Sequence, residues 1–353
     1  NNGNISANMG SIISTGSEMT IIAGGNIVAD DLRAVPFIVL EAGQNVTLND
    51  AIATGPQGIS NLSGITIDAG LQNVGVVVYD PLFNATITGN VQSYRNIVIR
   101  AGGVAQFTST ASLAADNQIS VQTVDDIIVD AGASLVSALN PLVLPDPLEP
   151  FTSGPNIILS AGSLPPLSTP FTPIASIVAA GSLNANTGAV ILSANAIDGL
   201  GGTITAGSLS ADIVDAPPNG IPQLDDDGLL SAQCVQGNVC LGTINADNIV
   251  QIGQASNIDV IQATIESGTV SADIIRVTTR SDIVMGTDGI ASTFNAASEF
   301  LAESIEGDVN LRDATVSSDS IQITAFGSLL GSGALTSSDS IGIDVGADVN
   351  AAL

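Results

Sequence analysis

Two or three aliphatic residues, then a small residue, then glycine or another turn former: this phrase recurs along the chain. It stands as Ile65-Thr66-Ile67-Asp68-Ala69-Gly70, Ile97-Val98-Ile99-Arg100-Ala101-Gly102, Ile127-Ile128-Val129-Asp130-Ala131-Gly132 and Ile157-Ile158-Leu159-Ser160-Ala161-Gly162, with shorter versions at 177–181 and 204–207. Between the phrases, apolar and polar residues alternate with a period of two, as in Val46-Thr47-Leu48, Ile119-Ser120-Val121, Ile321-Gln322-Ile323 and Ile341-Gly342-Ile343. That period predicts short strands with one face buried. The runs Ile127-Ile128-Val129 and Val76-Val77-Val78 are apolar throughout and predict strands with the core on one side and a covering loop on the other. The spacing closest to a helix lies over 291–305, where Phe294, Ala297, Leu301 and Ile305 recur at helical intervals within repeat-like text.

Self-similarity of this kind marks a stacked-repeat architecture. From Ile67 to Ile97, Ile127 and Ile157 the step is 30 residues each time; from Ile157 to Ile177 and from Ile321 to Ile341 it is 20. Steps of 20 and 30 fit coils of about 20 residues carrying variable loops. The 37 glycines, with many Asn, Asp, Ser and Thr residues, supply the corners. Two stretches break the pattern. Prolines crowd 140–173, Pro141, Pro145, Pro147 and Pro150 among them, and remove the donors a sheet ladder needs. The other stretch, 216–240, holds Pro217-Pro218-Asn219-Gly220 and Asp225-Asp226-Asp227-Gly228. The expected fold is therefore all-β: a single elongated, mostly parallel β-solenoid over 1–353, with loop-rich insertions at about 139–174 and 216–241. At about 4.8 Å per coil it would be a rod of roughly 80 Å. Repeat-like text runs almost to both ends with no polar capping helix, so the end coils are expected to be used, in a longer stalk or in a filament of stacked copies.

Composition narrows the function. Hydrophobic residues are 45% of the chain but aromatics only 3%, so the core is Ile, Val, Leu and Ala, which suits thin stacked strands. Six basic residues, all arginine, face 34 acidic ones, and the formal net charge is -28 with no lysine and no histidine. Charge attraction to nucleic acid or to an anionic membrane is therefore not expected. No apolar stretch reaches 18 residues, so no membrane insertion is expected. The chain begins Asn1-Asn2-Gly3 rather than with Met, as a processed chain or a piece of a longer one would.

Candidate chemistry is sparse. Cys234 and Cys240 flank a Gly237-Asn238 turn, so their sulfurs can meet across a small hairpin, and a local disulfide is expected outside the cell. Asp225, Asp226 and Asp227 before a glycine offer three carboxylates to calcium, the one cofactor the chain suggests; a solvated acidic turn is the competing reading. Arg276 and Arg280, four apart on a strand-like run, would share a face; they could contact an acidic glycan or pair with Asp273 and Asp282. Asp30-Asp31 and Asp125-Asp126 are adjacent carboxylates, which on a strand point to opposite sides and so do not make an acid–base pair by themselves. Without His or Lys, and with no nucleophile elbow, phosphate loop or zinc motif, no catalytic residue is expected and the chain is not read as an enzyme. Asn4-Ile5-Ser6, Asn45-Val46-Thr47, Asn61-Leu62-Ser63 and Asn84-Ala85-Thr86 fit the glycosylation sequon, a weak signal in a chain this rich in Asn and Thr.

Phrases such as Ile177-Val178-Ala179-Ala180-Gly181-Ser182-Leu183-Asn184-Ala185, Ile204-Thr205-Ala206-Gly207-Ser208-Leu209 and Gly307-Asp308-Val309-Asn310-Leu311 resemble the filamentous-haemagglutinin type of large bacterial exoproteins. The likeness covers most of the chain and lies in repeat style. It implies a right-handed parallel β-helix, export across an outer membrane, and roles in adhesion, biofilm or surface fibres. The secretion signature of that family, Asn-Pro-Asn-Gly near the mature N-terminus, has only Pro217-Pro218-Asn219-Gly220 as a distant counterpart, and the secretion role is not carried over. The resulting expectation is a non-enzymatic extracellular structural or adhesive protein of a bacterial cell surface, self-associating end to end into a fibre. The alternative is a polysaccharide-binding or polysaccharide-cleaving β-helix module.

Overall fold

The computed structural model describes residues 3–14, 17–54, 63–73, 76–137, 156–167, 175–214, 234–253, 259–266, 269–286 and 292–351. Every regular element among them is a strand. Ten parallel strands close round an axis in a solenoid-like arrangement, with antiparallel strands outside it. The chain divides into two compact units, Asn1–Ala189 and Val190–Leu353.

In the first unit three ladders of parallel strands run side by side. One ladder joins Met19–Ala23, Phe37–Ala42, Gly64–Ala69, Asn96–Ala101, Gln118–Thr123 and Asn156–Ser160. Its register places Ile38, Ile65, Ile97, Ile119 and Ile157 in one column, all buried, with Leu40, Ile67, Ile99, Val121 and Leu159 in the next. The period of two sends these residues inward and their neighbours outward, and each buried aliphatic side chain contributes roughly 1.5–3 kcal/mol. The phrase then ends in glycine because the chain must bend where another coil passes close by: a Cβ on Gly102 would collide with the carbonyl oxygen of Asp80.

The ladders also correct the apparent 30-residue step. Ile97 stands opposite Ile119, and Ile119 opposite Ile157. Ile127 belongs to another ladder, between Ala105 and Ile177. The phrase therefore recurs on two faces of the coil, and the equal steps from Ile67 to Ile157 mix them. Where loops are short the coil is near 20 residues, as between Ile321 and Ile341 in the second unit.

The second unit uses longer strands. Asn238–Ile252, Thr269–Thr279, Ser292–Ser304, Ala314–Ala325 and Ala334–Val345 each cover two faces of the coil, with a register shift at the corner between them. The third face is made of short strands: Gln262–Ile265, Ile283–Met285, Val309–Asn310, Leu329–Gly331 and Val349–Ala351. The helical spacing over 291–305 is overridden. That segment is a strand, Phe294 and Phe300 are buried, Ala297 is exposed, and the two rings meet edge to face at 6.3 Å. Here β-sheet stacking outweighs local propensity.

Corners are held by side chains that catch the backbone of the neighbouring coil. Asn4 Oδ1 accepts from the Asn26 N–H (2.9 Å), Asn26 Oδ1 from Asn45 (3.1 Å), Asn45 Oδ1 from Asn84 (2.8 Å) and Asn84 Oδ1 from Val104 (2.8 Å). Three of the four sequon matches are thus rungs of an asparagine ladder. A corner Asn, an inward apolar residue and an outward Ser or Thr produce the sequon pattern by geometry alone.

The run Val76-Val77-Val78 lies elsewhere than expected. Val77–Tyr79 pairs antiparallel with Leu71–Asn73, and Val76 and Val77 are exposed. This hairpin is fastened to the first ladder by a buried polar cluster. The Tyr79 hydroxyl donates to Asp68 Oδ1 (2.9 Å), and Arg100 reaches the same carboxylate with Nε 2.8 Å from Oδ1 and a second nitrogen 3.2 Å from Oδ2. Burial raises the Asp68 pKa, against the opposing pull of Arg100 and the Tyr79 hydrogen bond.

Candidate functional site

A polar groove of about 260 Å³ opens at a corner of the first unit, across three consecutive coils. Thr54 follows the strand Val46–Ala53; Gln92 and Ser93 end the strand Asn90–Ser93, with Tyr94 just beyond; Asp116 follows Ser112–Ala115. The strands Asn90–Ser93 and Ser112–Ala115 are adjacent in the ladder, so register brings Tyr94 and Asp116 to the same corner. Tyr94 is 41% exposed, a large share for an aromatic side chain. Asp116 is half-buried; its N–H donates to the Ser93 carbonyl (3.3 Å), while its Oδ2 is buried with no hydrogen-bond partner among the described residues. Desolvation alone pushes its pKa up to about 6. A carboxyl that can donate or accept near neutral pH, an exposed amide, two hydroxyls and an open ring are groups that bind a polyhydroxylated ligand.

None of these residues was distinguished in the sequence. Asp116 is one of 34 acidic residues, and its burial comes from the coils above and below it. The one available signal was Tyr94, since the chain has only two tyrosines.

The residues singled out from the sequence lie apart. Cys234 and Cys240 are joined by a disulfide, their Cα atoms 5.7 Å apart, across a turn closed by the Asn238 N–H to the Val235 carbonyl (2.9 Å). Asp225, Asp226 and Asp227 lie outside the described residues. Arg276 lies on the strand Thr269–Thr279 and makes a bidentate pair with Glu299 of the adjacent strand, Nε to Oε1 at 2.8 Å and a second nitrogen to Oε2 at 3.2 Å. Arg280 stands just past the end of that strand, at the corner, where its N–H donates to the Val260 carbonyl (2.9 Å). Asp273 accepts from the Ser298 hydroxyl. Asp30 accepts from Asn49 (2.9 Å), and Asp31 pairs with Arg33 (3.1 Å). Asp126 is buried and caps the Ser176 N–H (2.7 Å). Among the described residues no three Asp, Glu, Cys or His side chains gather as a metal ion would require. Comparison of the chain with protein-family models, curated proteins and solved structures found no match.

Proposed function

We propose that this chain is a non-enzymatic extracellular structural or adhesive protein, a right-handed parallel β-helix whose coils stack into a bacterial surface fibre. One observation carries the reading. In each unit the inward columns repeat from coil to coil through parallel pairing, Ile97 on Ile119 on Ile157 in the first and Phe300 on Ile321 on Ile341 in the second. A coil that pairs with both neighbours through the same columns lengthens the rod by repetition, which suits a fibre-building protein. The local disulfide suits an oxidising compartment, and the repeat style resembles filamentous-haemagglutinin exoproteins. Electron microscopy and light scattering of the purified chain test the reading. Fibres or concentration-dependent oligomers are expected. A chain that stays monomeric at high concentration overturns the stacking.

The groove at Tyr94 and Asp116 favours a second reading, a polysaccharide-binding module. Retention on immobilised neutral glycans, lost in Tyr94→Ala, would support it; equal retention of both proteins would remove it.

A further inference from the structure

The second unit carries a regular array that neither reading uses. On one face of its coils five successive rungs present a Thr, an inward apolar residue and a second short polar residue, and the sixth has Ala334 in place of the Thr. The first outward column is Thr203, Thr243, Thr269, Thr293, Thr315 and Ala334. The second is Thr205, Asn245, Ser271, Asn295, Ser317 and Thr336. Thr203 stands opposite Thr243, Thr269 opposite Thr293, and Thr293 opposite Thr315. Thr243 shares a rung with Thr269, because Ile244 and Asn245 stand opposite Val270 and Ser271. Strand geometry sets the lattice at about 4.8 Å between rungs and about 6.7 Å between the columns.

Three further properties set this face apart. The residues between the columns, Ile204, Ile244, Val270, Phe294 and Val316, are buried, so the backbone under the array is pinned. No side chain of either column hydrogen-bonds to another described residue, which leaves hydroxyls and amides turned outward. Neither column holds a charge, although the chain has 34 acidic residues. The neighbouring face of the same unit is different: its outward positions include Arg276, Glu299, Leu301, Glu303 and Gln322.

A lattice of evenly spaced hydroxyl, amide and methyl groups serves a partner that repeats on the same scale. A mineral would be met by charge, and a crystalline polysaccharide by exposed aromatic rings; the array has neither. An ordered water lattice needs hydrogen-bonding groups and methyls at fixed spacing, and rigidity removes the entropy cost of arranging them. We propose that the face bearing Thr243, Thr269, Thr293 and Thr315 binds ice. Thr supplies both functions: its hydroxyl joins the lattice and its methyl orders the water beside it.

Cryomicroscopy of single ice crystals and a recrystallisation assay with the purified chain test this. Faceted crystals and inhibited recrystallisation are expected for the natural chain and for Gln322→Lys on the neighbouring face. Thr293→Lys should lose at least tenfold in recrystallisation inhibition with its circular-dichroism melt unchanged, and Asn295→Lys does the same job should Thr293→Lys fail to fold. Round, unshaped crystals with the natural chain overturn the proposal, as does full inhibition by the folded variants. Retention on crystalline cellulose or chitin without ice shaping overturns it too and assigns the face to a polysaccharide. Fibre formation plays no part in this readout, so the two proposals fail separately.

Discussion

The two units solve the same corner with different chemistry. In the first, Asn4, Asn26, Asn45 and Asn84 each stand one residue before a strand residue that enters a stacked column, and each catches the backbone N–H of the next coil. In the second, Asp282 accepts from the Asp308 N–H (2.8 Å), Asp308 from Ser328 (2.6 Å), and the Ser328 hydroxyl from Asp348 (3.3 Å), again one residue before the inward Ile283, Val309, Leu329 and Val349. Capturing the backbone is thus the shared task, and any short acceptor performs it. The difference lies in the donor. The Asn45 amide also donates to Asn26 Oδ1 (3.0 Å), and the Asn26 amide to Asn4 Oδ1 (3.3 Å), so the side chains form a ladder of their own. A carboxylate has nothing to donate. The first unit therefore ties two of these four steps twice, and the second ties each step once and sets the Asp308 carboxylate one rung from that of Asp282.

The largest perturbation should separate the units outright. Phe300→Ala removes a buried ring and its edge-to-face contact with Phe294, at a cost of about 3–5 kcal/mol. Because coils in a solenoid depend chiefly on their neighbours, hydrogen exchange should speed up around 294–325 and stay slow around 97–129. Equal acceleration in both units would mean that they unfold together.

Exchanging the corner chemistry comes next. Asn45→Asp keeps the acceptor for the Asn84 N–H but sets a carboxylate against Asn26 Oδ1, and should cost about 1–3 kcal/mol at pH 7. Asp308→Asn gains a donor facing Asp282 and should leave stability unchanged or raise it by about 0.5–1 kcal/mol. Denaturant titrations that give both variants the same sign would break the comparison.

The groove predicts a smaller, pH-dependent effect. Asp116 is raised from 3.8 to about 6. Between those values the native chain keeps a proton that the unfolded chain has released, so stability falls as pH rises through the window and the penalty is complete above it. Asp116→Asn should melt higher than the natural chain at pH 7, and the gap should close by pH 4. A gap that does not change with pH would mean that Asp116 titrates as it does in the unfolded chain.

The smallest effect belongs to the Arg276–Glu299 pair. Both side chains are more than a third exposed, so Arg276→Gln should cost only about 0.2–1 kcal/mol and less in high salt. The hydrogen bond from Arg276 lowers the Glu299 pKa. That contribution is present above the ordinary carboxylate range and disappears as pH falls through the lowered value. Loss of glycan binding in the same variant without loss of fold would return Arg276 to the contact role suggested by its charge.

Much of the fold was legible because stacking repeats its demands. Each coil needs inward aliphatics, outward polar residues and a corner former, so Ile97, Ile119 and Ile157 announce themselves by alternation alone. The Cys234–Cys240 bond followed from a two-residue turn signal. The harder stretches were those where a local pattern had two meanings. Val76-Val77-Val78 has the composition of a core strand and forms an external hairpin, because Asp68 and Arg100 offer Tyr79 a buried anchor. Phe294 and Leu301 sit at helical spacing, yet strands on both sides capture their segment.

The sequence by itself determined that inward and outward residues alternate, where corners fall and that little positive charge is available, since these are properties of consecutive residues. Tertiary structure alone decided which coil faces which. Register placed Tyr94 beside Asp116, joined Asn45 to Asn84, stacked Asp282 on Asp308 and aligned Thr243, Thr269, Thr293 and Thr315 into a lattice. Loops of differing length separate these partners along the chain. Closing a loop costs only about 0.6 kcal/mol more per doubling of its length, so backbone pairing and apolar stacking between coils, rather than sequence distance, select the neighbours.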